Sequence, residues 1–211
     1  PTLPPDGLDS DSDGLTDTEE AVYVSDSRMP DTDEDGYLDG NEVFNLYAPT
    51  VRAPSTLMTQ PTMQVVSSTI GWQTIAPRAW RIESATTTGD VRLYVPSGEL
   101  FLLRVDANPA KLDAISWLAQ QKGLRADQIT TLSSNKYKVP FYLGPDRLTA
   151  YVPWEDRVLV ISYQLGTQTF VNFRTSFGMV LNALHFAGSP KMPDLTQPTS
   201  IPTVFQAVSS T

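Results

Sequence analysis

Two acidic stretches near the N-terminus repeat one spacing, offset by 22 residues, and they fix more about this chain than any other feature. The first reads Asp9-x-Asp11-x-Asp13-Gly14-Leu15-x-Asp17-x-x-Glu20 and the second Asp31-x-Asp33-x-Asp35-Gly36-Tyr37-x-Asp39-x-x-Glu42. Each sets carboxylates at the first, third, fifth, ninth and twelfth positions around a glycine at the sixth. This is the ligand spacing of a twelve-residue calcium loop. A calcium ion takes about six to eight oxygens, and alternating Asp side chains supply the first of them. The chain must then turn sharply, and glycine accepts a backbone conformation that a Cβ penalises. The carbonyls of Leu15 and Tyr37 face the ion, Asp17 and Asp39 reach it through water, and Glu20 and Glu42 close the shells. A solvated acidic linker is the bland reading of Asp-rich sequence. Two complete matches argue against it, and the expected cofactor is Ca²⁺, two ions.

These are not whole EF-hands. Prolines at 1, 4 and 5 deny the first loop an entering helix. Residues 16–24 and 38–47 each suit a short exiting helix, so each site is a loop followed by one helix. With Asp-Ser-Asp-Gly-Leu-Thr-Asp-x-Glu-Glu at 11–20, Ser25-Asp26, and Pro30-Asp31-Thr32-Asp33-x-Asp35-Gly36-Tyr37-Leu38-Asp39-Gly40, the stretch 6–46 resembles the thrombospondin type 3-like calcium repeats of bacterial surface proteins. Dockerins are the neighbouring family. They prefer a hydrophobic residue at position 8, which Leu38 satisfies and Thr16 does not. The resemblance implies a Ca²⁺-rigidified spacer near a membrane anchor or between surface domains, and no catalyst.

The charge follows the loops. Residues 1–50 hold 14 acids and one base, Arg28, for a net of −13, whereas residues 51–211 carry a net of +4. Beyond residue 50 the positive charges are scattered singly through apolar segments, so no nucleic-acid partner is expected. The absence of cysteine excludes disulfides, thiol catalysis and Cys-ligated zinc. Calcium modules of this kind work at ~0.1–1 mM Ca²⁺, a level kept outside cells, so the expected location is extracellular, on a bacterial surface. No membrane span is visible, and the expected chain is a mature or trimmed ectodomain whose anchor, if any, lies beyond it.

Four segments are expected: calcium repeats at 1–47, a Pro-containing linker at 48–67, an α+β sandwich at 68–187 and a Pro/Ser/Thr-rich tail at 188–211. In the third, residues 69–75, 80–83, 91–95, 100–105, 137–143, 148–152 and 158–163 read as strands. One helix is expected from Pro109 to a Gly123 stop with Asn108 as its N-cap. In a second, Phe173, Phe177, Val180, Leu181 and Leu184 share a face. Both helices should pack on a largely antiparallel sheet. The early Gly71-Trp72-x-x-Ile75-x-Pro77-x-x-Trp80, the strand hairpin and first helix, the paired strands and the final Leu184-His185-Phe186 are together similar to PsbP-like domains over 68–187. That resemblance implies a binding or scaffolding domain. The tail is expected to be extended, or to offer Val204-Phe205 as a strand to a partner's sheet edge.

Catalytic signatures are missing. The single histidine, His185, ends an apolar helix face and reads as structural. Acids outside the loops show no distinguishing pairing, and no phosphate loop or nucleophile elbow appears. Of the four tryptophans, Trp72, Trp80 and Trp117 read as core, while Trp154, beside Glu155-Asp156, reads as an exposed hairpin tip and the candidate partner contact. The chain therefore reads as a non-enzymatic calcium-binding surface protein, a rigid stalk presenting an α+β domain for assembly or adhesion. The alternative is a lipoprotein-type binding domain for a soluble ligand or protein partner, tethered by the calcium segment. On either reading, removing calcium should loosen residues 6–47 and leave 68–187 standing.

Overall fold

The eighth residue of each acidic loop is the last extended one before a helix. Thr16 caps α1 (Asp17–Tyr23) by a reciprocal pair of bonds: its Oγ1 accepts from the Glu19 N–H at 3.2 Å, and the Glu19 carboxylate accepts from the Thr16 N–H at 3.1 Å. That double bond explains why a polar residue stands where Leu38 stands in the second loop. Leu38 precedes α2 (Asp39–Phe44) with no side-chain cap. The computed structural model describes residues 3–132, 134–188 and 199–206.

Beyond the loops, β-branched and aromatic runs separated by turns become strands. A three-stranded sheet combines β1 (Met63–Ser67), β2 (Trp72–Pro77) and β10 (His185–Phe186). A seven-stranded sheet runs in the order β3 (Arg81–Ser84), β4 (Val91–Tyr94), β5 (Leu100–Ala107), β9 (Arg157–Gln164), β8 (Thr149–Trp154), β7 (Phe141–Leu143) and β6 (Thr130–Leu132). Every ladder is antiparallel. The α+β class is as expected. Period-2 alternation assigns the faces of the large sheet: on β8, Ala150 and Val152 enter the main core, while Tyr151 joins a smaller one under α3 (Ala114–Lys122) with Trp117, Leu118, Val158 and Val160.

The first helix starts later than expected. Asn108 closes a turn instead of capping, accepting from the Leu112 N–H at 3.0 Å and donating to the Leu112 carbonyl at 2.9 Å. Asp113 is the N-cap, and Gly123 ends the helix with φ of 65°. The strands β1, β6 and β10 were not expected. β1 occupies sequence assigned to the linker and pairs with β2 from Met63–Pro77 to Ser67–Gln73.

The helix α4 (Arg174–Ala183) is buried on every side. Its apolar residues meet the sheets, and its polar residues meet the acidic segment. Arg174 pairs with Asp6, and Thr175 Oγ1 donates to the Gly14 carbonyl at 2.6 Å. The Ser176 N–H donates to Glu19 at 2.6 Å, and its hydroxyl shares a 2.9 Å bond with Tyr23. Asn182 donates to the Phe44 carbonyl at 2.7 Å. Leu15, Tyr23, Val43 and Phe44 belong to the same core as Phe101, Phe173, Phe177 and Leu181. A boundary at residue 47 thus runs through one hydrophobic core, and the segment is a clasp on the α+β unit rather than a separate stalk.

The expected linker also folds back. Arg52 Nε donates to the Asp33 carbonyl at 3.0 Å, and the Ala53 N–H donates to Asp35 at 2.8 Å. Within the tail, Pro190, Pro193 and Pro198 lie outside the described residues. Ile201 and Phe205 are buried in this chain's own core, so Phe205 is not available to a partner's sheet. No described helix is long and apolar enough to cross a membrane.

Because one core spans both regions, thermal unfolding of the calcium-loaded and chelated protein should each be a single transition. Phe44→Ala, which removes a ring packed on α4, should cost about 3–5 kcal/mol and lower that whole transition. Calorimetry checks both. Two separately melting units, or a Phe44→Ala effect confined to the acidic segment, contradict the shared core.

Candidate metal centre

The two loops have nearly the same internal wiring. Asp9 accepts from the N–H groups of Ser12 at 2.7 Å and Gly14 at 3.1 Å; Asp31 accepts from those of Asp35 at 3.1 Å and Gly36 at 2.8 Å. Asp13 accepts from the Leu15 N–H at 2.7 Å, and Asp35 from the Tyr37 N–H at 3.2 Å. These side-chain-to-backbone bonds curl each loop inward. Gly14 and Gly36 sit at φ of 101° and 98°, where a side chain is strained, as the turn requires.

The curl gathers carboxylates. One oxygen from each of Asp9, Asp11 and Asp13 lies within 4.8 Å of the others, and Asp31, Asp33 and Asp35 form the matching group. Asp17 and Asp39, at position 9, act as braces across the loop. Asp17 accepts from the Ser10 N–H and hydroxyl, both at 2.9 Å, and Asp39 from the Thr32 N–H at 2.8 Å and hydroxyl at 2.6 Å. Leu15 is fully buried and Tyr37 half-buried.

Glu20 and Glu42 come from the first turns of α1 and α2 and are 1% and 0% exposed. Both Glu42 oxygens, one Glu20 oxygen, both Asp11 oxygens and one Asp33 oxygen are buried without a hydrogen-bond partner. Buried carboxylate oxygens ordinarily find donors, since leaving one bare costs about 1–3 kcal/mol or more. Burial pushes the Glu20 carboxyl up to about 8, with Asp11 and Asp13 adding repulsion. Burial pushes Glu42 up to about 9, with Asp33 and Asp35 adding to it. Asp13 rises to about 7, again chiefly through burial, and Asp11 and Asp33 are raised for the same reason. An all-oxygen, clustered, desolvated donor set of this kind suits a hard divalent cation, so the residues fit calcium. Glu19 differs. It is fully buried and raised to about 8 by that burial, but it accepts from Thr16 and Ser176 as part of the clasp.

The loops also touch each other. Asp13 Oδ2 accepts from the Gly40 N–H at 2.9 Å, and a Cβ on Gly40 would stand 2.5 Å from the Asp13 carbonyl oxygen. Sequence spacing within each loop does not reveal this close approach.

Outside the loops, Glu83, Asp106 and Asp127 pair with Arg81, Arg104 and Arg125. Glu99 is buried but bonded to Tyr163 and Asn172. His185 stacks on Tyr137 with centroids 4.3 Å apart, and its Nδ1 is 3.0 Å from the Ala183 carbonyl. Trp72, Trp80 and Trp117 are core residues. Trp154 flanks a hairpin turn, as expected, yet its half-buried ring stacks on Phe186 at 4.7 Å and carries the Arg157 guanidinium at 5.4 Å. The ring packs against its own fold rather than standing free at the tip.

Fold and site together define an antiparallel α+β protein clasped by two carboxylate loops. No protein-family model and no curated protein matches the chain. Among solved structures, it is similar to the solution structure of cyanobacterial PsbP (CyanoP) from Synechocystis sp. PCC 6803. The identity is 9%, 61% of this chain and 95% of that chain are covered, and the TM-score is 0.39. At this distance the likeness transfers no role. No family model matches the thrombospondin type 3-like stretch 6–46 or any other part of the chain.

Glu20→Gln and Glu42→Gln should each weaken one calcium site by about tenfold or more, because each removes the charge of the twelfth-position donor that such a loop uses. Ser12→Ala should leave both sites intact; position 12 carries a Cβ at φ 64° in either form. Gly40→Ala should weaken both loops at once. Titration calorimetry separates these outcomes, and equal affinities in all four variants contradict the loop assignment.

Proposed function

We infer that this chain is a non-enzymatic calcium-binding protein of the extracellular bacterial surface, in which two Ca²⁺ ions hold a clasp closed around an α+β domain used for assembly or adhesion. The observation that carries the reading is the set of buried, unpartnered carboxylate oxygens on Asp11, Glu20, Asp33 and Glu42. Asp9, Asp11, Asp13 and Glu20 would hold one ion, and Asp31, Asp33, Asp35 and Glu42 the other, with the Leu15 and Tyr37 carbonyls. The ion supplies charge compensation and a fixed oxygen geometry. The chain's own residues do the rest: Asp17 and Asp39 set the loop curvature, and α4 receives the closed clasp through Thr175, Ser176 and Asn182. The extracellular placement follows from the weak affinities expected of such sites, ~0.1–1 mM, which only external calcium would fill.

A second reading, a binding domain for a soluble ligand or protein partner, draws on one feature. A cleft of about 1010 Å³ lies beside the first loop, walled by Leu8, Gly14, Leu38, Phe170 and Ile201. Leu8 and Phe170 are respectively 70% and 50% exposed.

Calcium at a hundred times its dissociation constant should stabilise the fold by about 2.7 kcal/mol per site, raising the melting temperature on the order of 10–20 °C for two. Light scattering in millimolar Ca²⁺ and in chelator then separates the readings. Calcium-dependent oligomers support assembly, and a monomer in both conditions supports the binding domain. An unchanged melt with no calorimetric binding overturns the calcium reading altogether.

A further inference from the structure

Residues 199–206 carry Ile201, Val204 and Phe205 among Pro, Ser and Thr without helical or strand periodicity, yet Ile201 and Phe205 are buried. Their seat is shared: Ile201 lies against Gly14 of the first loop, Phe205 against α4 and β7, and the helix that leaves the second acidic loop supplies Phe44 and the hydrogen bonds that hold the backbone. Asn45, the buried residue that ends α2, donates from Nδ2 to the Asn41 and Thr199 carbonyls, both at 2.7 Å. Thr199 Oγ1 donates back to Asn45 Oδ1 at 3.3 Å, and the Ile201 N–H donates to Asn41 Oδ1 at 3.1 Å. A short 3-10 turn, Thr203–Phe205, then places the Phe205 ring against Phe44 at 5.4 Å, Phe177 at 6.2 Å and Phe141 at 6.5 Å.

Three of the residues that hold this strap, Asn41, Phe44 and Asn45, thus belong to α2 or its C-cap. A helix of six residues has no independent stability; ~12–15 residues are marginal in water. Its register depends on what fixes its ends. One of those fixtures is Glu42, in the helix's first turn beside the second loop, buried with both oxygens unpartnered. With a cation between them, Glu42 ties α2 to the loop. Without one, both Glu42 oxygens stay buried with no partner, a cost that opening to water relieves.

We propose that residues 199–206 form a calcium-operated latch, seated on α2 when the second loop holds its ion and released when the loop is empty. The proposal rests on the calcium reading above. Release would uncover the seat made by Phe44, Phe141 and Phe177 and free the segment as an extended strap, so calcium would control how this end of the described chain is held.

The test is hydrogen exchange followed by mass spectrometry on the full chain, in saturating Ca²⁺ and in chelator, with calorimetry on the same preparation. Chelation should speed exchange across 199–206 by about tenfold or more while β9 stays protected. Asn45→Ala removes the donor that holds Thr199. It should still bind two ions, yet exchange about tenfold faster over 199–206 even with calcium present. Two ions bound with unchanged exchange at 199–206 overturns the latch and leaves the calcium reading standing. Equal acceleration in β9 means global unfolding and overturns the latch as a separate device. Absence of calorimetric binding overturns the calcium reading and the latch with it.

Discussion

The polar side of α4 is the contact on which the rest of the structure depends. A helix packed between two sheets and a third layer has no solvent face, so every polar group on it must find a partner inside the protein. Here the partners its side chains do find come from the acidic segment: Asp6 for Arg174 Nε, the Gly14 carbonyl for Thr175, Glu19 and Tyr23 for Ser176, and the Phe44 carbonyl for Asn182, while both Arg174 Nη atoms are buried without one. Removing the segment would leave these groups buried beside nothing or exposed as a polar stripe on an apolar helix. The sheet and the loops are therefore one cooperative structure, although their sequences differ sharply in composition.

This packing changes the meaning of the acidic loops. A Ca²⁺-stiffened spacer needs only to be straight, whereas a clasp must also present a complementary surface to what it holds. Glu19 illustrates the difference. It lies next to Glu20 in sequence, and both are buried. Glu20 faces the carboxylates of its own loop with one oxygen bare, while Glu19 accepts from Thr16 and Ser176 and joins α1 to α4. Adjacent acids on one helical turn thus serve two directions, one toward the site and one toward the core. The direct bond from Gly40 to Asp13 extends the same logic to the two loops, which it couples.

Much of this was legible in the sequence, and the limits have physical causes. The loops announce themselves because cation ligation demands a fixed spacing, and most strands do because their alternation matches a sheet with one buried face. The helix at 174–183 was placed correctly, but only its apolar residues could be read. Arg174, Thr175, Ser176 and Asn182 look like a solvent face until the segment that covers them is known. The tail is illegible for a related reason: Ile201, Val204 and Phe205 stand among prolines and hydroxyls with no periodicity, and their burial depends on a groove made elsewhere. Asn108 misled because Asn followed by Pro is a capping signal, yet a closed turn onto Leu112 satisfies the same side chain. Asp17 and Asp39 match the ligand position that reaches the ion through water, and their bonds to Ser10 and Thr32, which spacing does not show, also brace the loops.

The two loops also differ in what surrounds them, and this bears on how the clasp works. The first is flanked by α4 through Gly14 and by the open cleft that Leu8 and Phe170 border. The second is covered by the turn at Arg52 and Ala53, and its helix carries the strap at 199–206. Like-charged carboxylates held this close repel one another, and burial adds the cost of desolvation. Opening relieves that cost by hydrating them, but only if the covering elements move. In the first loop that motion disturbs α4 and the main core. In the second it displaces a surface turn and a short strap and also strains α2, whose Val43 and Phe44 share the main core and whose Phe44 carbonyl holds Asn182. Of the elements around the second loop, the turn and the strap are the ones that can detach without unfolding the sheets, and occupancy of that loop would be felt there first.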